Sequence, residues 1–337
     1  MSCIFCRCKE NLTDEHVFPA FMGGRLEVRR ASCRKCNRAF GVVEAAIKAA
    51  TTPVLNLLRI KNRDGKVPNA PLHAEIQGLD LKNVPAFMDG NGEIRLLDYV
   101  KETVTDDGRR LRQGFFVTQK ADEKFAARNR GKGRLIKRGV LKQIVIEATY
   151  TQKVMFALSM EARKVAAKIA LMAIAFRYGV PFALSPQFDT LRQVRDERDT
   201  ERLPVRIFAN ENIQSAWLRT PHQHSVLCYL SAGMKQGWAL VTLFGGLCYL
   251  VEVTAAYSER ESRQFSIFYE ADSKTRSNPI LLVDEMALIG HVLSPATTFE
   301  DPLAVDAQWH RVVADFCSGN GTVVEGLADR PAAKQRE

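Results

Sequence analysis

No stretch of the chain approaches the ~18–20 uninterrupted apolar residues that a membrane-spanning helix requires, so the sequence predicts none. The opening, MSCIFCRCKE, lacks the basic segment followed by an apolar one that marks a secretory signal. The expectation is a cytoplasmic protein with no membrane partner. No internal repeat is found. Phe244-Gly245-Gly246 is not followed by Lys-Ser/Thr, which sets aside a phosphate-binding loop and leaves a hairpin turn. Beyond residue 60 no group of residues has the spacing of a second active site. His222 and His224 stand two apart ahead of a strand-like run and read as polar edge residues of that strand rather than as a metal pair.

What is present begins with size and charge. The chain has 337 residues, enough for two domains, with the 46% hydrophobic and 26% charged residues of an ordinary globular protein. Its net charge is +10, and the sequence pI is near 9.3. Such an excess draws polyanions through counterion release and long-range attraction. Part of it is concentrated: Arg25, Arg29, Arg30, Arg34, Lys35 and Arg38 crowd into 14 residues opposed only by Glu27. A second basic group, Arg128, Arg130, Lys132, Arg134, Lys137 and Arg138, stands in a glycine-containing loop.

Five of the eight cysteines fall in the first 36 residues. The other three, Cys228, Cys248 and Cys317, have apolar neighbours and read as small buried hydrophobes. Where thiols stay reduced, close cysteine pairs indicate metal or redox chemistry rather than disulfides. Cys3-x2-Cys6 and Cys33-x2-Cys36 are two such pairs separated by 26 residues. Zinc takes four tetrahedral ligands, and two thiolates from each tight turn supply them. A structural Zn²⁺ on Cys3, Cys6, Cys33 and Cys36 is therefore predicted. Cys8 competes with Cys6, but the matching x2 spacing favours Cys6. A redox CxxC, which belongs in a strand-to-helix turn, is the other alternative. Arg7, Arg34 and Lys35 would offset the charge of four thiolates on one zinc.

Apolar periodicity predicts a helix over 37–50, stopped by Thr51-Thr52-Pro53. Turn signals at Asp89-Gly90-Asn91-Gly92 and Asp106-Asp107-Gly108 mark hairpins in a strand-rich connecting region. Residues 152–178 read as a long helix buried on several sides and ended by Gly179-Val180-Pro181. Alternating charge makes 189–202 an exposed linker or solvated helix face. The runs VRIFA, HSVLCYLS, WALVTLF and LCYLVEVT read as strands, the last two as a hairpin across Gly245-Gly246. A helix is expected at 303–317. The fold class is α+β, divided into an N-terminal module (1–53), a strand-rich connecting region (54–150), a C-terminal α+β domain (151–327) and a disordered tail (328–337).

Between the cysteine pairs lies DEHVFPAFMGGRLEVRRAS, and Asn37 follows Cys36 directly. The run C-x2-C … D-E-H-V-F-P … G-G … C-x2-C-N-R-A-F-G, over residues 3–44, resembles the HNH (ββα-metal) endonucleases, in the zinc-knuckle subgroup whose last signature residue is asparagine. The resemblance implies a zinc-stapled ββα module that hydrolyses DNA phosphodiester bonds, leaving 5′-phosphate and 3′-hydroxyl ends. It assigns His16 as general base, and Glu15 and Asn37 as ligands of a catalytic Mg²⁺ or Mn²⁺. The residue types suit those roles: imidazole titrates near neutrality, and both ligands offer hard oxygen donors. Defence against foreign DNA is the role that analogy adds. The six basic residues at 25–38 would then track the phosphate backbone without reading its sequence.

Two details of the motif need structure to resolve. Neighbouring strand residues point to opposite faces, so Glu15 and His16 can serve one metal only if the backbone is irregular, and Asp14 competes as the ligand on the face of His16. Most members of the family also carry an asparagine near the position of Val28 that helps orient the histidine, and LEVRRA has none. The competing readings are a catalytically inactive zinc module that binds nucleic acid, and a zinc-stapled protein-interaction scaffold.

Overall fold

The computed structural model describes residues 1–62, 64–76, 81–130, 146–148, 154–210, 222–271 and 297–319. The chain is α+β and divides into two compact units. One comprises the described residues of Met1–Thr51, Ile60–Lys66 and Lys153–Glu337; the other comprises those of Thr52–Arg59 and Val67–Gln152. Among the described residues no helix is long and apolar enough to cross a membrane.

The first unit starts with a hairpin, β1 (Leu12–His16) and β2 (Glu27–Cys33), followed at once by helix α1 (Arg34–Leu57). This is the ββα order. Helix α1 runs seven residues past the expected stop at Ala50 and carries Pro53 inside it. A proline costs a helix one N–H donor. Here the Thr51 hydroxyl donates to the carbonyls of Ile47 (2.8 Å) and Lys48 (3.4 Å), in the turn that leads into the proline. In the second unit, Asn56 then fixes the last turn by donating to the carbonyls of Pro68, Met88 and Asp89. Tertiary bonds thus override the local stop signal.

The second unit holds the four-stranded order β5-β4-β3-β8, made of β3 (Ala70–Ile76), β4 (Leu81–Met88), β5 (Ile94–Leu96) and β8 (Ile146–Ala148). A separate hairpin joins β6 (Tyr99–Val104) to β7 (Arg110–Phe115), and helix α2 (Gln119–Asn129) follows, capped by Thr118. Both turn signals read from sequence join hairpin strands, with Gly92 and Gly108 at positive φ.

The rest of the first unit is a six-stranded antiparallel sheet in the order β13-β10-β11-β12-β9-β14. Its strands are β9 (Val205–Ala209), β10 (Gln223–Ser231), β11 (Gln236–Leu243), β12 (Leu247–Thr254), β13 (Arg263–Glu270) and β14 (Thr298–Phe299). The central strands are buried almost throughout, which is why they read as continuous apolar runs rather than alternating ones. The β11–β12 turn uses positive φ at Phe244 and Gly245, the geometry of a type I′ hairpin. Helix α3 (Met160–Tyr178) packs on this sheet and on β2, and every residue from Ala162 to Ala175 is buried. It begins at 160, not 152, because the Ser159 hydroxyl caps it by accepting from the Ala162 N–H; a 3-10 turn (Val154–Leu158) precedes it.

Short helices α4 (Val180–Ala183) and α5 (Asp189–Gln193) follow, and α6 (Pro302–Gly319) ends the described chain. The segment 189–202 is not a solvated face: Leu191, Arg192 and Val194 are buried, with Arg192 donating to the carbonyls of Ala183 and Ser185. Cys228 and Cys248 are buried as expected. The side chain of Cys317, the second basic group from Lys132 onward and the tail from 328 lie outside the described residues.

Candidate active site

The N-terminal turn is built to collect thiols. Backbone bonds from Arg7 N–H to Cys3 O (2.8 Å) and from Cys3 N–H to Cys8 O (2.7 Å) close a knuckle, and Ile4 N–H ties it to Ala31 O on β2. Cys33 ends β2, and Cys36 lies in the first turn of α1. The Sγ atoms of Cys3, Cys6, Cys33 and Cys36 all lie within 4.8 Å of one another. A tetrahedral zinc with Zn–S of ~2.3 Å needs S···S edges of ~3.8 Å, so these four fit that ion. Cys8 is outside the group; its exposed thiol meets the backbone of Glu10. Burial, joined by the neighbouring thiols, raises the Cys36 pKa against the pull of Arg195, whereas Cys33 is lowered to about 7, against the pull of burial, by the Cys36 N–H and the neighbouring thiols.

A cation expected beside the ligands comes from elsewhere in the chain. Arg195 Nη1 donates to Cys36 Sγ at 2.7 Å. Arg7 turns instead to Asp189, 3.1 Å away, while Arg34 and Lys35 are exposed.

The hairpin carries the irregularity that the motif demands. Thr13 pairs with Ser32, but Glu15 pairs with Val28, so β2 advances four residues while β1 advances two. Arg30 takes a positive φ inside this slip, and its N–H donates to Asp14 Oδ1 at 2.8 Å. Asp14 is exposed and committed to that bulge. Glu15 turns inward, 5% exposed, and His16 is partly exposed at the end of the strand.

His16 meets Glu27, its register partner across the hairpin: Nε2 lies 3.1 Å from Glu27 Oε1. Glu27 directly precedes Val28 on β2. Asn37, in the first turns of α1, donates through Nδ2 to Thr13 Oγ1 at 3.2 Å, and that hydroxyl donates to Ser32 O. The amide oxygen of Asn37 is thereby the atom left to offer a cation.

Glu15 has a partner that no motif announces. Its Oε1 accepts from Lys168 Nζ of α3 at 2.8 Å and from the His16 N–H at 3.2 Å. Lys168 also donates to Glu44 Oε1 on α1 at 2.5 Å and lies over the Phe40 ring. Burial works against the lysine's charge, but Glu44 and Glu15 outweigh it and hold its pKa above the ordinary value. Among the described residues Glu15 Oε2, which is buried, has no hydrogen-bond partner. A buried carboxylate oxygen without a donor is a hard ligand of the kind a divalent cation takes.

The loop between the strands is anchored at a distance. His224, expected at a strand edge, is fully buried on central strand β10, stacked against Phe18. Its Nδ1 accepts from the Phe244 N–H and its Nε2 donates to Met22 O, and burial lowers its pKa to about 4. The Tyr269 hydroxyl donates to Gly23 O at 2.5 Å. Gly24 admits no side chain, since a Cβ there would lie 2.0 Å from Phe18 O. The six basic residues at 25, 29, 30, 34, 35 and 38 are all exposed, on β2, its approach and the start of α1.

Glu27, Lys168 and Arg195 escaped the sequence reading. Glu27 is detectable only once the hairpin register is known; the other two lie more than 100 residues away, inside segments that read as plain helix and plain charge. Comparison with curated proteins and with solved structures gives no match. The family model described as HNH endonuclease matches residues 3–48, so the stretch that carries the four thiols, His16 and Asn37 is an HNH-type endonuclease module.

Proposed function

We propose that this module makes the protein a metal-dependent endonuclease hydrolysing DNA phosphodiester bonds, with His16 as general base. The observation that carries the reading is the His16–Glu27 pair at 3.1 Å. A neutral imidazole has one N–H. With Nε2–H held by the Glu27 carboxylate, Nδ1 is the nitrogen that takes the proton from the attacking water. Glu15 and Asn37 offer a carboxylate and an amide oxygen to Mg²⁺ or Mn²⁺, and Thr13 fixes the amide. Once bound, that cation would neutralise charge developing on the scissile phosphate and the leaving oxygen. Arg25, Arg29, Arg30, Arg34, Lys35 and Arg38 hold the flanking phosphates by charge, independent of sequence. Cleavage leaves 5′-phosphate and 3′-hydroxyl ends. Zinc is structural, stapling β2 and α1 to the N-terminal knuckle. The protein works in the cytoplasm, and defence against foreign DNA is the role this activity suits.

One observation favours the second reading, a module that binds DNA without cutting it: Glu15 Oε1 is already engaged by an ammonium. Incubating purified protein with supercoiled plasmid and Mg²⁺ or Mn²⁺, beside His16→Ala, separates the two. Nicking by the parent and none by the variant is the expected result. Nicking that survives the substitution contradicts the assignment of His16. Salt-sensitive binding without nicking by the parent supports the second reading.

A further inference from the structure

The two oxygens of Glu15 are treated unequally. Both available donors, Lys168 Nζ at 2.8 Å and the His16 N–H at 3.2 Å, converge on Oε1. The second bond of Lys168 goes to Glu44 rather than to Oε2, which is buried and, among the described residues, has no donor. A lysine serving only to neutralise the carboxylate has no need to leave that atom unsatisfied, because a buried acceptor without a donor is costly. The asymmetry becomes useful if a hard cation is to come: Mg²⁺ and Mn²⁺ demand strict geometry, which a carboxylate fixed through its other oxygen supplies.

We propose that Lys168 is a positioning residue of the nuclease site, holding Glu15 through Oε1 so that Oε2 alone is presented to the divalent cation. The inference rests on the reading of Glu15 as a metal ligand. It makes the site a joint product of the N-terminal module and helix α3: the module supplies the ligand, and a residue 153 positions later sets its orientation. Glu44 keeps the lysine centred between two carboxylates, leaving the group of three with a formal charge of −1.

The experiment uses zinc-loaded full-length protein and Mn²⁺ as probe, followed by the electron paramagnetic resonance of bound Mn²⁺ and by plasmid cleavage at saturating Mn²⁺. Glu15→Gln should weaken Mn²⁺ binding tenfold or more. Unchanged affinity in that variant would overturn the ligand reading itself, whatever Lys168 does. Lys168→Met should behave differently. Mn²⁺ binds at least as tightly because a neighbouring positive charge is gone, yet kcat falls about 10–100-fold because the carboxylate is free to turn. A lysine with a merely structural role would lower Tm and leave both kcat and Mn²⁺ affinity of the folded protein at the parent's values, and that result overturns the proposal. If Lys168→Met does not fold, Glu44→Gln answers the question. It takes the local charge from −1 to 0 and should weaken Mn²⁺ binding several-fold, and parent-like affinity would count against the proposal.

Discussion

His16 and Glu27 form the pair on which the proposed chemistry turns. Glu27 is exposed enough for its charge to be screened, so its value lies in geometry rather than in electrostatic stabilisation. Replacing Glu27 with alanine should cost tenfold or more in kcat, inside the ~10²–10⁴ that a positioned base contributes, while zinc content and DNA affinity stay at the parent's level. Steady-state cleavage and metal analysis on one preparation check this, and an unchanged kcat would remove Glu27 from the site. A second residue-scale outcome concerns stability. His224 is buried and neutral with a pKa of about 4, against ~6.5 when unfolded. As pH falls from ~6.5 to ~4 the unfolded chain takes up a proton that the folded chain refuses, so stability declines through that window by up to ~3 kcal/mol and then levels off. Urea unfolding at pH 7 and pH 4.5 reads this, and His224→Gln should flatten that part of the profile.

Elements were legible where local chemistry decides them. The β11–β12 hairpin, the C-terminal end of α3 at Tyr178–Gly179 and the two loop turns of the second unit follow from turn residues that need positive φ or from a break in helical pattern. The misses have a common cause. Helix α1 continues through Pro53 because Asn56 supplies tertiary bonds that no local pattern shows. The slip in the β1–β2 register, which lets Glu15 turn inward while His16 stays at the strand end, depends on Asp14 meeting the Arg30 N–H across the hairpin. The Gly-Gly turn was visible in the sequence, but the reason for glycine at 24 is the Phe18 carbonyl beneath it. Gly24→Ala should therefore distort the loop, costing on the order of 2–4 kcal/mol, the range of severe core substitutions. A thermal melt measures it, and a parent-like Tm would mean that the loop relaxes without penalty.

At the scale of the whole molecule, the first ~50 residues do not stand alone. The thiol of Cys36 meets Arg195, Glu15 meets Lys168, and Gly23 and Met22 bond to Tyr269 and His224, all within one compact unit. The cysteine spacing made the thiol cluster readable, since each pair is close in sequence. The supports were not, because they come from helices and strands over 100 residues away whose own patterns report only burial. Arg195→Ala should speed loss of zinc to a chelator by roughly tenfold or more, since outer partners of metal ligands typically contribute that much. An indicator-dye assay follows the release.

Everything in the site depends on the four-thiolate frame that joins the knuckle, β2 and α1. Zinc K-edge X-ray absorption of the purified full-length protein tests that frame most directly. One zinc per chain with four sulfur neighbours at ~2.3 Å is the expected result. A protein free of zinc, or a zinc shell containing nitrogen or oxygen in place of a sulfur, would contradict it.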